Sequence, residues 1–297
     1  MIRSPFFYVG DKYKLVSQLL KYFPKQIKTY VEPFYGGGSS QLQVEAKKYL
    51  LNDIDANVIR LHTFLLREMK DTDKFYNSLF SLIERYNLSC SFLRDVVPAQ
   101  LKKDFPKTYY SKYNKQGYSS LRDDFNKEGQ IDDYKLYLLL IYGFNHMIRF
   151  NSSGLFNLPV GNVDFNKNVF DALNNYYTKQ KKRSLTFSVL DFRSFMKNLR
   201  LDSMDFIYCD PPYLISMSEY NKNWNEETDK ELYKCLDGLD KKGVRFGITN
   251  LICHKGKTNS VFEKWSQSYS IEQISSNYIS FNDNTIKSDS IEVYVHN

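Results

Sequence analysis

A carboxylate, two prolines and a phenol ring follow one another at Asp210-Pro211-Pro212-Tyr213, directly after the apolar run DFIYC at Asp205–Cys209. Consecutive prolines can neither donate to a strand ladder nor enter a helix interior, so they fix a rigid, extended turn. Such a turn presents backbone carbonyls and holds the flanking carboxylate and ring in place. The arrangement suits attack by an exocyclic aromatic amine, a poor nucleophile because its lone pair is delocalised into the ring. Hydrogen bonds from its two N–H groups to Asp210 and to the Pro211 carbonyl favour the pyramidal, more nucleophilic nitrogen. Tyr213 is then placed to stack on an extruded base. By itself the tetrapeptide is equally compatible with an ordinary Asp-Pro turn.

A second group lies near the amino terminus. Val31-Glu32-Pro33-Phe34-Tyr35 runs into Gly36-Gly37-Gly38 between a predicted strand and a predicted helix. Glycines there let a backbone approach a ligand, and a helix start offers free N–H groups. The segment is not a P-loop, because no Gly-Lys-Ser/Thr follows, and it lacks the spacing of a dinucleotide fingerprint. Asp53, in Leu51-Asn52-Asp53-Ile54-Asp55, ends the next strand. An acidic residue at that place can take both hydroxyls of a ribose. Helix capping by Asp53 is the competing reading.

These residues need strands behind them. Apolar runs predict strands over Thr29–Phe34, Tyr49–Ile54, Leu185–Val189, Asp205–Cys209 and Val244–Thr249, with Tyr278–Ile279 and Ile291–Val295 as a terminal hairpin. Helical spacing covers Lys14–Phe23, Ser39–Tyr49 and Asn57–Met69, and Tyr134–Ile141 reads as a core helix. Strands alternating with helices predict an α/β, Rossmann-like doubly wound sheet, mostly parallel, with an antiparallel terminal hairpin. Ligands of such sheets bind beyond the carboxyl ends of the strands. Residues 71–133 are richer in Lys, Tyr, Asn and Ser and read as a mainly helical insert. The expected organisation is a catalytic domain of residues 1–70 and 134–297 with a helical target-recognition insert at 71–133. A DNA-reading hairpin is expected at 142–162.

Composition narrows the partners. The chain has 297 residues, a formal net charge of +7 and 16% aromatic residues. A basic balance favours polyanions through counterion release, and aromatic faces stack on bases. Most of the aromatics are nevertheless core material. Cys90, Cys209, Cys235 and Cys253 form no Cys-x-x-Cys pair, so no zinc or other metal site is expected. Without an apolar run of membrane length or a leader-like start, the expectation is a soluble, cytoplasmic, DNA-associated protein with no membrane partner.

Taken together, the glycine loop, the acidic strand end and Asp-Pro-Pro-Tyr resemble the Dam-like, D12 class (alpha-group) adenine-N6 DNA methyltransferases over nearly the whole chain. The motif order also matches: cofactor loop, recognition insert, Asp-Pro-Pro-Tyr. The resemblance implies S-adenosylmethionine as cofactor and double-stranded DNA as substrate. Tyr8-Val9-Gly10-Asp11-Lys12 is similar to the family's amino-terminal cofactor segment, with Tyr8 and Lys12 as contacts and Asp11 standing where a second glycine is usual. By the same likeness Phe34, Gly36 and Gly38 surround the methionine portion and Asp53 holds the ribose. Asp191 and Phe192 meet the cofactor's adenine, and Asp210 adjoins the cofactor.

Two further segments are similar to the family's DNA-reading parts. One is Tyr118–Asn126, with Arg122, after a stretch of interleaved lysines and tyrosines. The other is Tyr142–Asn151 followed by Phe156–Pro159. The match implies that Phe144 wedges into the base stack and that Arg149 reads a guanine through O6 and N7. Met147 and Pro159 touch a thymine methyl, and Asn145, Asn151 and Asn157 complete the set. Phe7 stands where some relatives carry a basic residue that reads the first guanine. A GAT-containing site, GATC- or GATATC-like, is the expectation in that spirit. Membership of a restriction-modification system, with a companion endonuclease acting separately, also follows from the likeness. Cytosine N4, an RNA adenine or a protein glutamine are alternative amines. A DNA-binding module without activity is the alternative outside catalysis.

Overall fold

Two all-buried strands stand at the centre of the sheet, as continuous apolar runs demand. The computed structural model describes residues 1–216, 224–275 and 290–297. The strands are β1 (Thr29–Glu32), β2 (Lys48–Asn52), β3 (Leu185–Ser188), β4 (Phe206–Cys209), β5 (Arg245–His254), β6 (Lys257–Thr258), β7 (Ser270–Ile274) and β8 (Ser290–His296). Their order is β3-β2-β1-β4-β5-β8-β7, with β6 paired to β5 off this path. The pairs from β3 to β5 are parallel, and β8 pairs antiparallel with both β5 and β7. The order therefore reverses between β1 and β4, which makes their carboxyl ends the switch point of a doubly wound sheet. Fold class and antiparallel end are as expected. The partner of β8 is Ser270–Ile274, and the expected strand at Tyr278–Ile279 lies outside the described residues.

The helices are α1 (Val16–Leu19), α2 (Ala56–Glu68), α3 (Thr72–Arg85), α4 (Ala99–Asp104), α5 (Tyr109–Lys127), α6 (Asp133–Tyr142), α7 (Lys167–Gln180), α8 (Phe192–Lys197), α9 (Glu226–Asp240) and α10 (Ser260–Ser266). Two predicted helices are corrected. Lys14–Phe23 supplies only the single turn α1, Val16–Leu19. Ser39–Tyr49 supplies only a 3-10 turn, Gln41–Gln43, and Tyr49 belongs to β2. Tertiary partners hold this segment through a buried side chain and through a backbone carbonyl that a helix would use. The Gln41 amide pairs with that of Gln180, while the Val44 carbonyl accepts from Tyr49 and Arg183.

The chain falls into two compact units. One is Lys12–Tyr35, Gln43–Ile54 and Arg183–Asn297, which holds the sheet. Its core on one face joins Val31, Ile207, Phe246, Val293 and Val295 to side chains of α8, α9 and α10. The other is Met1–Asp11, Gly36–Leu42 and Asp55–Lys182. It is built around α6, whose residues Leu136–Tyr142 are all buried, a helix apolar on every side because neighbours surround it. No helix among the described residues is long and apolar enough to cross a membrane.

Candidate active site

Asp210 leaves the carboxyl end of β4, and three polar groups meet one of its oxygens. Lys12 Nζ lies 2.8 Å from Oδ1, the Thr249 hydroxyl donates to it at 2.8 Å, and the Tyr213 hydroxyl lies at 3.0 Å. Thr249 comes from β5, beside β4, so adjacent strand ends build the cluster. Pro211 is buried, and the turn closes where Ser216 N–H and hydroxyl both donate to the Tyr213 carbonyl at 2.9 Å. The Tyr213 ring is buried, with the Lys12 ammonium 4.9 Å from its centroid. Its hydroxyl also lies 2.8 Å from Glu292 Oε1.

A further carboxylate, Glu32, ends β1 and is buried. Burial pushes its carboxyl well above the usual range. The Tyr30 hydrogen bond opposes this rise, and the charges of Asp210 and Asp53 add to it. Lys12 is the buried cation beside these carboxylates, 2.8 Å from Asp210 Oδ1 and 3.8 Å from Glu292 Oε1.

Asn52, fully buried at the end of β2, ties the neighbouring loops together. Its amide N–H group donates to the Pro33 and Leu190 carbonyls at 3.0 and 2.9 Å. Its carbonyl accepts from Ser188 Oγ and Leu190 N at 2.9 and 3.0 Å. One side chain therefore fixes the ends of three adjacent strands, with every hydrogen-bonding position used in a dry site. Asp53 follows, and its N–H donates to Ser188. The cap of α2 is Asp55, not Asp53, which removes the capping reading of Asp53. Asp191 does cap α8 and pairs with Arg193 at 2.8 Å. Phe34 and Phe192 lie 5.5 Å apart, and Trp224 stands 5.6 Å from each.

In the helical unit, Gly36 and Gly38 have φ of +48° and +73°, which glycine adopts at least cost. A Cβ on Gly37 would meet Tyr8 Cβ at 2.9 Å, so the loop lies flat on the Tyr8 segment. His62 of α2 anchors that loop. Its Nε2 bonds the Gly36 carbonyl at 2.8 Å and its Nδ1 the Tyr176 hydroxyl at 2.7 Å. A carbonyl only accepts, so Nε2 carries the hydrogen and Nδ1 accepts. Burial lowers the His62 pKa to about 3, which keeps the ring neutral.

The segment after α6 forms an irregular antiparallel pair, with bridges Gly143–Val160 and Phe150–Phe156. A Cβ on Gly143 would meet the Leu139 carbonyl at 2.5 Å, so only glycine fits at that turn. Phe144 follows, 47% exposed, and Asn145 and His146 both take left-handed backbone, at φ 54° and 49°. Arg149 Nε donates to Asn157 Oδ1 and its Nη2 to the Asn157 carbonyl, both at 2.9 Å. Met147 is half-buried against the core, Pro159 is exposed and Asn151 closes a turn through Ser153 and Leu155. Arg122, on α5, pairs with Asp123 at 3.4 Å.

The structure thus joins Lys12, Asp210 and Tyr213 in one cluster and Phe34 with Phe192 in another. Tyr8, Gly36 and Gly38 share the helical unit with the hairpin. Sequence reading missed Thr249, Glu292, Asn52, Trp224 and His62. A charged residue inside the apolar run Ile291–Val295 was the available signal for Glu292. For the others only the tertiary fold supplies the partners.

Comparison with known proteins gives a consistent picture. A family model described as D12 class N6 adenine-specific DNA methyltransferase matches residues 8–278. The modification methylase StsI of Streptococcus sanguinis is 31% identical over 306 residues, spanning 100% of this chain and 43% of that protein. The type II methyltransferase M.FokI of Planomicrobium okeanokoites is 32% identical over the same length, again with 43% of the relative covered. The chain therefore spans less than half the length of these two relatives. The DNA adenine methylase of Escherichia coli K12 is 26% identical over 253 residues, covering 82% of this chain and 78% of that protein.

Proposed function

Because the chain belongs to the D12 class of N6 adenine-specific DNA methyltransferases, we propose that it transfers a methyl group from S-adenosylmethionine to N6 of an adenine extruded from duplex DNA. The observation that carries this reading is the convergence of Lys12, Thr249 and Tyr213 on Oδ1 of Asp210. That convergence leaves Oδ2 to accept from the amine, beside the Pro211 carbonyl. The task of the site is mainly positioning.

The residues present fit the cofactor. Asp53 is not consumed as a helix cap, which suits the ribose hydroxyls, and Phe34 and Phe192 offer aromatic surface at neighbouring strand ends. Tyr8, Lys12, Gly36, Gly38 and Asp191 complete the proposed set. Asp191 holds its helix cap and Arg193, so its adenine contact is one more bond on an engaged carboxylate. When bound, S-adenosylmethionine supplies the electrophilic methyl group, activated by its sulfonium charge.

The hairpin is the proposed DNA reader. Phe144 fills the gap left by the extruded base, and the guanidinium edge of Arg149 not held by Asn157 meets a guanine. Met147 and Pro159 face a thymine methyl, and Arg122, Asn145 and Asn151 contact the duplex around a GAT-containing site. The named modification methylases among the relatives support a place in a restriction-modification system, with a separate endonuclease as companion. The test is to incubate the protein with unmethylated genomic DNA and S-adenosylmethionine and map N6-methyladenine at single-base resolution. Methylation of one short motif establishes both activity and site. Methyl groups on cytosine N4 or on RNA instead would replace the substrate.

A further inference from the structure

The last strand inverts the usual burial pattern. Ile291 is 39% exposed, whereas Glu292 beside it is 1% exposed. Glu292 and Tyr294 share one face of β8, and Val293 and Val295 point into the core on the other. Glu292 pairs in register with Leu251, at the point where the β5–β8 ladder shifts between Leu251 and Cys253. Such irregularities re-aim side chains beside functional sites.

Burying a carboxylate is costly unless it is paired. Glu292 is only half satisfied. Its Oε1 accepts from Tyr213 at 2.8 Å and lies 3.8 Å from Lys12 Nζ. Its Oε2 is buried with no hydrogen-bond partner among the described residues. A group so placed adds little stability, which points to another reason for its presence.

The Tyr213 hydroxyl has one hydrogen and meets two carboxylates, Asp210 Oδ1 at 3.0 Å and Glu292 Oε1 at 2.8 Å. Asp210 Oδ1 already accepts from Lys12 and Thr249. The hydrogen therefore goes to Glu292, the shorter contact and the acceptor with less competition. We propose that Glu292 is a positioning residue for methyl transfer: it fixes the Tyr213 ring through the hydroxyl. The inference rests on the methyltransferase reading given above.

The experiment compares the full chain carrying Glu292→Ala, Glu292→Gln, Tyr213→Phe and the Glu292→Ala/Tyr213→Phe pair. The readouts are methyl transfer to unmethylated genomic DNA and thermal unfolding. Glu292→Ala lowers kcat by about 10- to 100-fold with KM for DNA little changed, the signature of an interaction that serves the reacting state. Glu292→Gln recovers most of the loss, because its amide oxygen still accepts from Tyr213, and it unfolds no earlier than wild type. In the Tyr213→Phe background Glu292→Ala adds less than about twofold, as expected for two residues acting as one unit. Equal losses in both backgrounds would mark a merely structural Glu292 and overturn the proposal, as would wild-type kcat in Glu292→Ala. If Glu292→Ala does not fold, Glu292→Met keeps the volume without an acceptor and serves the same comparison. Asp210→Ala separates the two readings. If wild type leaves no N6-methyladenine, or Asp210→Ala methylates normally, the methyltransferase reading fails. If Asp210→Ala is inactive while Glu292→Ala matches wild type, only the role of Glu292 fails.

Discussion

Asp210 and Phe144 occupy opposite surroundings. The carboxylate has Lys12, Thr249 and Tyr213 of its own unit converging on one oxygen, beside a turn in which Pro211 is buried. The ring is 47% exposed and followed by two residues in left-handed backbone. Left-handed conformations in non-glycine residues are strained and persist only where the surroundings impose them. Here the Phe144 N–H bond to the Pro159 carbonyl at 2.9 Å and the close packing around Gly143 impose them. The contrast fits the two demands of the proposed function. Holding an amine for attack needs groups fixed before the substrate arrives. Reading a duplex needs side chains that project, with only their bases anchored. Arg149 lies between these extremes, half-buried with its Nε and Nη2 held by Asn157.

Substitutions at each pole sharpen the comparison. Asp210→Ala lowers methyl transfer by about 10³-fold or more, as loss of a preorganised electrostatic contact does. DNA binding in a gel-shift assay stays near wild type, and a parallel loss of binding would merge the two regions into one function. Arg149→Ala relaxes specificity at one base pair, costing about 1–3 kcal/mol of discrimination. A uniform fall across all sequences would make Arg149 a phosphate contact.

The buried polar anchor of the helical unit is tested by pH. The His62 pKa falls from 6.5 to about 3 on burial, so the unfolded chain binds a proton first as pH drops. Stability from this group is complete above pH 6.5 and declines between pH 6.5 and about 3, at up to about 1.4 kcal/mol per pH unit. Replacing His62 by Asn removes that part of the slope in denaturant unfolding, and an unchanged slope would place the proton elsewhere. Phe144→Ala gives the smallest effect, about a three- to tenfold slower extrusion of a 2-aminopurine at the target, since unstacking costs only a few kcal/mol in total. Unaltered fluorescence kinetics would remove the wedge from the hairpin.

The proposed catalytic centre was unevenly legible. Asp210 and Tyr213 are adjacent in sequence to the strand that carries them, so a local motif reveals them. Glu292 sits 79 positions from Tyr213 and contributes through one hydroxyl. Its only local sign is a charge within an apolar strand. The helix expected over Ser39–Tyr49 failed for a related reason. Its spacing was adequate, but Tyr49 and Arg183 bind the Val44 carbonyl, a group a helix would pair. Among the described residues, β7 carries buried apolar character only at Ile274, so alternation does not reveal it.

What the sequence determined by itself is whatever depends on neighbours in the chain: central strands as apolar runs, acidic residues at their ends, the rigid Asp-Pro-Pro-Tyr turn and the glycine loop that follows β1. What only the tertiary structure decided is which distant groups share a proton or a charge. Hydrogen bonds and ion pairs act over about 3–4 Å in space and carry no memory of separation along the chain. The grip of Lys12 on Asp210, the tie of Asn52 across three strand ends and the burial of Glu292 therefore appear only once the sheet has closed.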